Sequence, residues 1–179
     1  PGGKDHATAH GSYDTSKDVS KEIFGYEPPL FQGYEFIGIK GSTGKVNGNG
    51  ADYAALYTPN VTYINCTFVG PMRVGRDGAK FINCTFTELG NDYVWTYGND
   101  VTFEGCTFNT AGKAILIYSD GGNEVSKVTV KNCTFTATGA AEKNAVGIKL
   151  WALNGDLVVE GVEATGLHSL MQLTSCGAA

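Results

Sequence analysis

The sequence predicts an all-β fold, a parallel β-helix of about six coils, and three observations predict it. The first is an eight-residue unit that recurs as Val61-Thr-Tyr-Ile-Asn-Cys-Thr-Phe68, Ala79-Lys-Phe-Ile-Asn-Cys-Thr-Phe86, Val101-Thr-Phe-Glu-Gly-Cys-Thr-Phe108 and Val128-Thr-Val-Lys-Asn-Cys-Thr-Phe135. Degenerate copies flank these, Tyr34-Glu-Phe-Ile-Gly-Ile-Lys-Gly41 and Leu157-Val-Val-Glu-Gly-Val-Glu-Ala164, at spacings of 27, 18, 22, 27 and 29 residues. The second is the bend inside each unit. It holds Gly38, Asn65, Asn83, Gly105, Asn132 or Gly161, the residue types that enter left-handed backbone most readily. The third is a short apolar stretch after each of the first five units: Ala54–Tyr57, Met72–Val74, Tyr93–Tyr97, Ala114–Tyr118 and Val146–Trp151. Three short strands within a minimum period of 18 residues describe one coil. Stacked coils pair each strand with its copy about 4.8 Å away. A helical solenoid does not fit strands built from β-branched and aromatic residues at period two. A β-sandwich would not need the same residues at the same corner.

Taken in order, residues 1–30 precede the repeat and residues 31–179 form the β-helix. Residues 1–14 are small and polar and read as a tail. In Ser16–Phe24, Val19, Ile23 and Phe24 fall at helical spacing, which predicts a short amphipathic helix capping the N-terminal end of the stack. Within each unit, alternation sets the inward positions. Residues 39, 66, 84, 106, 133 and 162 form a column Ile-Cys-Cys-Cys-Cys-Val. Residues 41, 68, 86, 108, 135 and 164 form a column Gly-Phe-Phe-Phe-Phe-Ala, expected to stack as an offset ladder. Both end copies lack the Cys and the Phe in this alignment, as terminal repeats do. In the third strands Ala54, Leu56, Met72, Val74, Val94, Thr96, Ile115, Ile117, Ile148 and Leu150 are predicted to point inward.

Composition sets outer bounds. At 179 residues the chain has the size of one ordinary domain, with 25 glycines and only 17% charged residues. Thirteen basic and eighteen acidic residues give a net charge of −5, the wrong sign for a phosphate-binding surface, so nucleic acid is not an expected partner. Runs such as Ala114–Tyr118 are too short to insert in a membrane. The chain opens at Pro1 without a signal-peptide pattern, as a processed or trimmed product would. Five cysteines form no CxxC pair, and four of them repeat one context, so they read as buried reduced thiols. His6 and His10 lie in the polar tail without further ligands, and His168 stands alone. No metal or other cofactor is predicted, and oligomeric state is not legible.

The outward residues of the third strands carry the functional expectation. They are Tyr53, Tyr57, Arg73, Tyr93, Trp95, Tyr97, Leu116, Tyr118, Lys149 and Trp151, mostly aromatic where a solvated strand is ordinarily polar. Sugar rings stack on Tyr and Trp, so Tyr93, Trp95, Tyr97, Tyr118 and Trp151 with Arg73 and Lys149 form a candidate carbohydrate platform. Arg76, Asp92, Lys113 and Asp120 could add hydrogen bonds. The competing reading buries these aromatics under the loops Ser119–Lys127 and Thr136–Asn144 or against another domain. Asp92, Asp100, Glu104 and Asp120 are the carboxylates nearest this face, but none stacks on another as a glycosidase pair or calcium nest would. Glu104 and Lys131 are equivalent in adjacent units and are expected to pair. Four Asn-x-Thr triplets begin at Asn60, Asn65, Asn83 and Asn132, and the repeat explains the last three as corners rather than glycosylation sites. Thr67, Thr85, Thr107 and Thr134 form an outward column. Its companion, Thr62, Lys80, Thr102 and Thr129, lies on another face and is broken by lysine, so an ice-binding array is not formed.

The VTF-x-(N/G)-CTF units, from Tyr34 to Ala164, resemble right-handed parallel β-helix proteins of the pectin-lyase-like superfamily, in particular small secreted or surface domains of bacteria. The resemblance implies a right-handed coil and a secreted or cell-surface setting. The leading functional expectation is a domain that binds polysaccharide or host glycan, or acts as an adhesin-like module, through the aromatic strand face. The alternative is a polysaccharide lyase or glycoside hydrolase using Asp92, Asp120, Arg73 or Lys149. The lyases' calcium aspartates and basic residue do not map onto this chain. A further alternative is a structural spacer in a larger surface protein.

Overall fold

The computed structural model describes residues 30–33, 35–37, 59–75, 77–89, 93–118, 125–139, 144–151, 153 and 155–174. They form a right-handed parallel β-helix of six coils. The first coil contributes β1 (Leu30–Gln32) and β2 (Glu35–Ile37). The second holds β3 (Thr62–Ile64), β4 (Thr67–Val69) and β5 (Met72–Val74), and the third β6 (Lys80–Ile82), β7 (Thr85–Thr87) and β8 (Val94–Thr96). The fourth holds β9 (Val101–Glu104), β10 (Thr107–Thr110) and β11 (Lys113–Ile117), and the fifth β12 (Lys127–Lys131), β13 (Thr134–Ala137) and β14 (Val146–Leu150). The sixth closes with β15 (Asp156–Glu160), β16 (Glu163–Thr165) and β17 (Ser169–Leu173). Three parallel sheets result: β1-β3-β6-β9-β12-β15, β2-β4-β7-β10-β13-β16 and β5-β8-β11-β14-β17. No α-helix occurs among the described residues; the predicted cap at Ser16–Phe24 and the predicted strand Ala54–Tyr57 lie outside them.

The core is two facing aromatic columns with a thiol column beside them. Phe68, Phe86, Phe108 and Phe135 stack at centroid separations of 5.1, 4.6 and 4.8 Å, with ring planes within 11°. On the first face Phe31, Tyr63, Phe81 and Phe103 stack at 5.3, 5.1 and 5.0 Å. The columns meet edge-on, as at Tyr63–Phe68, 5.2 Å and 79° apart. One ring per coil per column matches the strand spacing, so each ring is sandwiched by its own copies. Cys66, Cys84, Cys106 and Cys133 are buried free thiols, as the repeat predicts. Each faces a carbonyl of the preceding coil, Cys106 Sγ lying 3.3 Å from the Phe81 oxygen. Hydrogen bonds from Cys133 and Cys84, with burial behind them, push the Cys106 thiol far above the ordinary range. The Cys106 hydrogen bond lowers Cys84 and Cys133, yet at 0–1% exposure a thiolate would have no water around it, and we assign the ladder as protonated at neutral pH.

The corners are more numerous than the repeat suggests. Asn65, Asn83, Gly105, Asn132 and Gly161 all have positive φ, between 52° and 63°. A second left-handed corner, at Asn60, Gly78 and Asp100, precedes the first-face strands, and a third, at Gly70 and Glu88, follows the second face. Asn60, read from the sequence only as the start of a triplet, is therefore also a corner. At the first corner the ladder continues unbroken: Asn83 N donates to Glu104 O at 2.8 Å and Gly105 N to Lys131 O at 2.9 Å.

The first coil corrects the predicted register. Phe31 aligns with Tyr63 and Phe36 with Phe68, so the coil begins at Leu30 and its corner is Gly33, not Gly38. The aligned copy Tyr34–Gly41 slips by one strand of the coil. Both strands place a phenylalanine centrally, between one polar and one apolar neighbour, so period two cannot tell them apart. The phenylalanine column position of the first coil is thus occupied by Phe36, not by Gly41. In the last coil the predicted register holds, with Phe135 opposite Ala164. Its third strand, β17, has no counterpart in the sequence reading.

Candidate functional site

The third face is built by β5, β8, β11, β14 and β17 in continuous register. Its inward side is as predicted: Met72, Val74, Val94, Thr96, Ile115, Ile117 and Ile148 are sealed in the core and Leu150 nearly so. Its outward side carries two columns. One runs Arg73, Trp95, Leu116, Lys149 and Gln172 across successive coils. The other, two residues further on, runs Gly75, Tyr97, Tyr118, Trp151 and Thr174, with the ladder continuing from Tyr97 N to Val74 O, Tyr118 N to Thr96 O, Trp151 N to Ile117 O and Thr174 N to Leu150 O.

These columns pack against each other. Trp95 is only 6% exposed and Leu116 4%, forming a small outer cluster with Tyr93, Tyr97 and Tyr118. The Trp95 indole packs against Tyr97 at 4.8 Å with the rings tilted by 45°, and donates from Nε1 to the Tyr118 carbonyl at 3.0 Å. Tyr97 lies over Gly75, where any Cβ would run into its ring. Tyr118 and Trp151 are 5.0 Å apart and tilted by 40°. Exposure rises along the ladder to Trp151, 43% exposed, with Lys149 Nζ 5.3 Å from its ring centre. Lys113 Nζ sits 5.9 Å from the Tyr93 ring. The described part of the face is thus a buried aromatic base at Trp95 and an open aromatic-cationic rim at Tyr118, Lys149 and Trp151. This corrects the sequence expectation for Trp95, which belongs to the packing of the face rather than to its surface.

The other candidates separate. Arg73 and Lys149 share a column but stand three coils apart, about 14 Å along the stack, so they do not converge on one bond. Asp92, Asp120 and Arg76 lie outside the described residues. Asp100 is a left-handed corner whose carboxylate pairs with Lys127 at 3.1 Å. Glu104 is on the first face, and Lys131, its neighbour in register, pairs instead with Glu160 at 3.0 Å. The threonine column Thr67, Thr85, Thr107 and Thr134 is in register, flanked by Glu35 and Glu163. Among the described residues no cluster of three or more His, Cys, Asp or Glu could hold a metal ion.

Two families match different parts of the chain. The profile described as "Right handed beta helix region" matches residues 73–177, more than half of the chain. The profile of class I tRNA synthetases (K) matches residues 1–58. The chain is 55% identical over 49 residues to a lysine–tRNA ligase of Pyrococcus horikoshii, 27% of this chain and 9% of that protein. It is 46% identical over 68 residues to the lysine–tRNA ligase of Borreliella burgdorferi, 35% of this chain and 13% of that protein. With the ligase of Methanosarcina barkeri it shares 62% identity over 37 residues, 21% of this chain and 7% of that protein. The chain therefore spans a small fraction of these relatives. No solved structure matches it. The synthetase-like stretch includes β1 and β2, which pair in register with β3 and β4 of the coil that follows.

Proposed function

Because the chain belongs to the family of right-handed β-helix regions, we propose that its third face is a binding face and that its ligand is carbohydrate. One observation carries this reading: Tyr118 and Trp151 occupy successive coils of one outward column, 5.0 Å apart, and end in a half-exposed indole beside an ammonium group. Aromatic rings repeated at coil spacing offer apolar planes for sugar faces, while Lys149 and Lys113 supply donors for hydroxyl or carboxylate oxygens. Tyr118 and Trp151 directly follow β11 and β14, whose pairing fixes the spacing of the platform before a ligand arrives. The same reading places the domain outside the cell or on its surface. The activity named for the lysine–tRNA ligases belongs to chains of which this one covers 7–13%, and this reading does not rest on it.

The test is a screen of the whole chain against immobilised neutral and acidic polysaccharides, followed by Trp151→Ala and Tyr118→Ala on each hit. Binding should weaken by about tenfold or more in either variant, with the melting temperature of Trp151→Ala nearly unchanged because the ring is half exposed. No retained polysaccharide, or hits indifferent to both substitutions, would end the carbohydrate reading. A structural spacer is the second reading, favoured by the burial of Trp95 and Leu116 on the outward side of the same face.

A further inference from the structure

We propose that the outward side of the second sheet is an ice-binding face, a flat threonine array that holds water in the arrangement of the ice lattice. Along the sequence, the column Thr67, Thr85, Thr107 and Thr134 has only Thr62, Lys80, Thr102 and Thr129 as its companion, on another face and broken by lysine. The sheet register supplies a different companion on the same face. Two residues further along the same strands run Val69, Thr87, Asn109, Thr136 and Thr165. β4, β7, β10 and β13 thus present Thr-Phe-Val, Thr-Phe-Thr, Thr-Phe-Asn and Thr-Phe-Thr. Each phenylalanine is sealed in the core, and the residues on either side of it are partly exposed. Every outward position is threonine except Val69, which keeps the branched shape without the hydroxyl, and Asn109.

Three properties fit this face to ice. It is flat. Adjacent strands of an ordinary sheet are rotated by roughly 20–25°, and flat sheets are held so by stacking or side-chain ladders. Beneath this face the rings of Phe68, Phe86, Phe108 and Phe135 stay within 11° of parallel from coil to coil. It is regular. Copies in successive coils lie about 4.8 Å apart, and the two columns lie about 6.6 Å apart along each strand. Both repeats lie close to those of the oxygen atoms on planes of the ice lattice. Threonine is stiff about χ1, so the methyls and hydroxyls keep these spacings without an ordering cost at the moment of contact. The methyls offer apolar ground over which water orders, and each hydroxyl both donates and accepts a hydrogen bond. It is also uncharged, as a neutral lattice requires. In the strands of this sheet the charged residues are Glu35 and Glu163, in β2 and β16, outside the array. The first face, by contrast, carries Lys80, Glu104, Lys131 and Glu160 on its strands, as an ordinary solvated surface does.

The test is partitioning of the whole chain into slowly grown ice, beside a reference protein that ice excludes, with thermal hysteresis measured on the same samples. The chain should be enriched in the ice fraction severalfold over the reference. Thr107→Tyr, a bulky ring in the middle of the array on a residue suited to strands, should lower retention to that of the reference with the melting temperature nearly kept. Thr102→Tyr, the same change on the first face, should leave retention as it is. Asn109→Thr completes the second column and should raise both retention and hysteresis. Exclusion of the parent chain from ice overturns the proposal, whether or not the face then proves to join two copies in light scattering. Retention unaffected by Thr107→Tyr, or lost equally in Thr102→Tyr, overturns it as well. Should Thr107→Tyr fail to fold, Asn109→Thr decides: a rise in retention supports the array, and no rise or a fall overturns it.

Discussion

At the scale of single residues, the inward columns tolerate little that is polar. Thr96 takes the place that Val74 and Ile117 hold in neighbouring coils, is fully buried, and its hydroxyl has no hydrogen-bond partner among the described residues. Removing that hydroxyl while keeping the shape should relieve its desolvation cost. Thr96→Val is expected to stabilise by about 1 kcal/mol in urea unfolding, and a loss of stability would mean that the hydroxyl is satisfied. Cys106 makes the opposite case, a polarisable group suited to its slot. An ordinary thiol titrates near 9.0, so at pH 8.5 a free one is partly thiolate. With its ionisation pushed well above that value, Cys106 has no thiolate to offer between pH 7 and 9 while the chain is folded. Iodoacetamide labelling followed by peptide mass mapping should leave Cys106 unmodified in native buffer and label it fully in denaturant. Rapid native labelling would place the column outside the core.

Elements are set by where the chain turns. A strand of three to five residues has little stability alone, so corners that fix its ends decide which copies meet. Gly105 shows the requirement most clearly. Its φ is +63°, and a Cβ there would run into the Asn83 side-chain oxygen of the preceding coil. Gly105→Ala should cost about 1–2 kcal/mol, from left-handed strain and from displacing Asn83. The control is Gly139→Ala, also at positive φ but with open space around it, which should cost less. Equal costs would assign the whole effect to strain and none to the stack. The asparagines at the equivalent corners show that a side chain is accepted there when its neighbour leaves room.

On the scale of the whole molecule, stability is a sum over coils and their interfaces. Among the described residues, the middle coils have copies on both sides and are sealed, whereas the sixth pairs with the fifth alone and most of its side chains are partly or fully exposed. Hydrogen exchange should therefore be slowest in β6, β7, β9 and β10 and fastest in β15, β16 and β17. Uniform protection would show that the stack opens only as one unit.

The repeat let the sequence by itself determine the parallel coil, the thiol and phenylalanine columns, the corner at Asn65 and its copies, and the inward side of the third strands. Each of these follows from residue type and spacing within one chain segment, because every coil repeats the same local problem. Only the tertiary structure decided the rest. The strand to which Glu35–Ile37 belongs depends on pairing across coils, since both choices satisfy the same alternation. Whether Lys131 answers Glu104 or Glu160 depends on which neighbour its long side chain reaches. Which outward aromatics are surface depends on how adjacent columns lean on each other, and so Trp95 is covered by Tyr97 and Tyr118 while Trp151 is not. Period two states which side of a strand a residue takes; how much of it then meets water is fixed by neighbours that are distant in sequence.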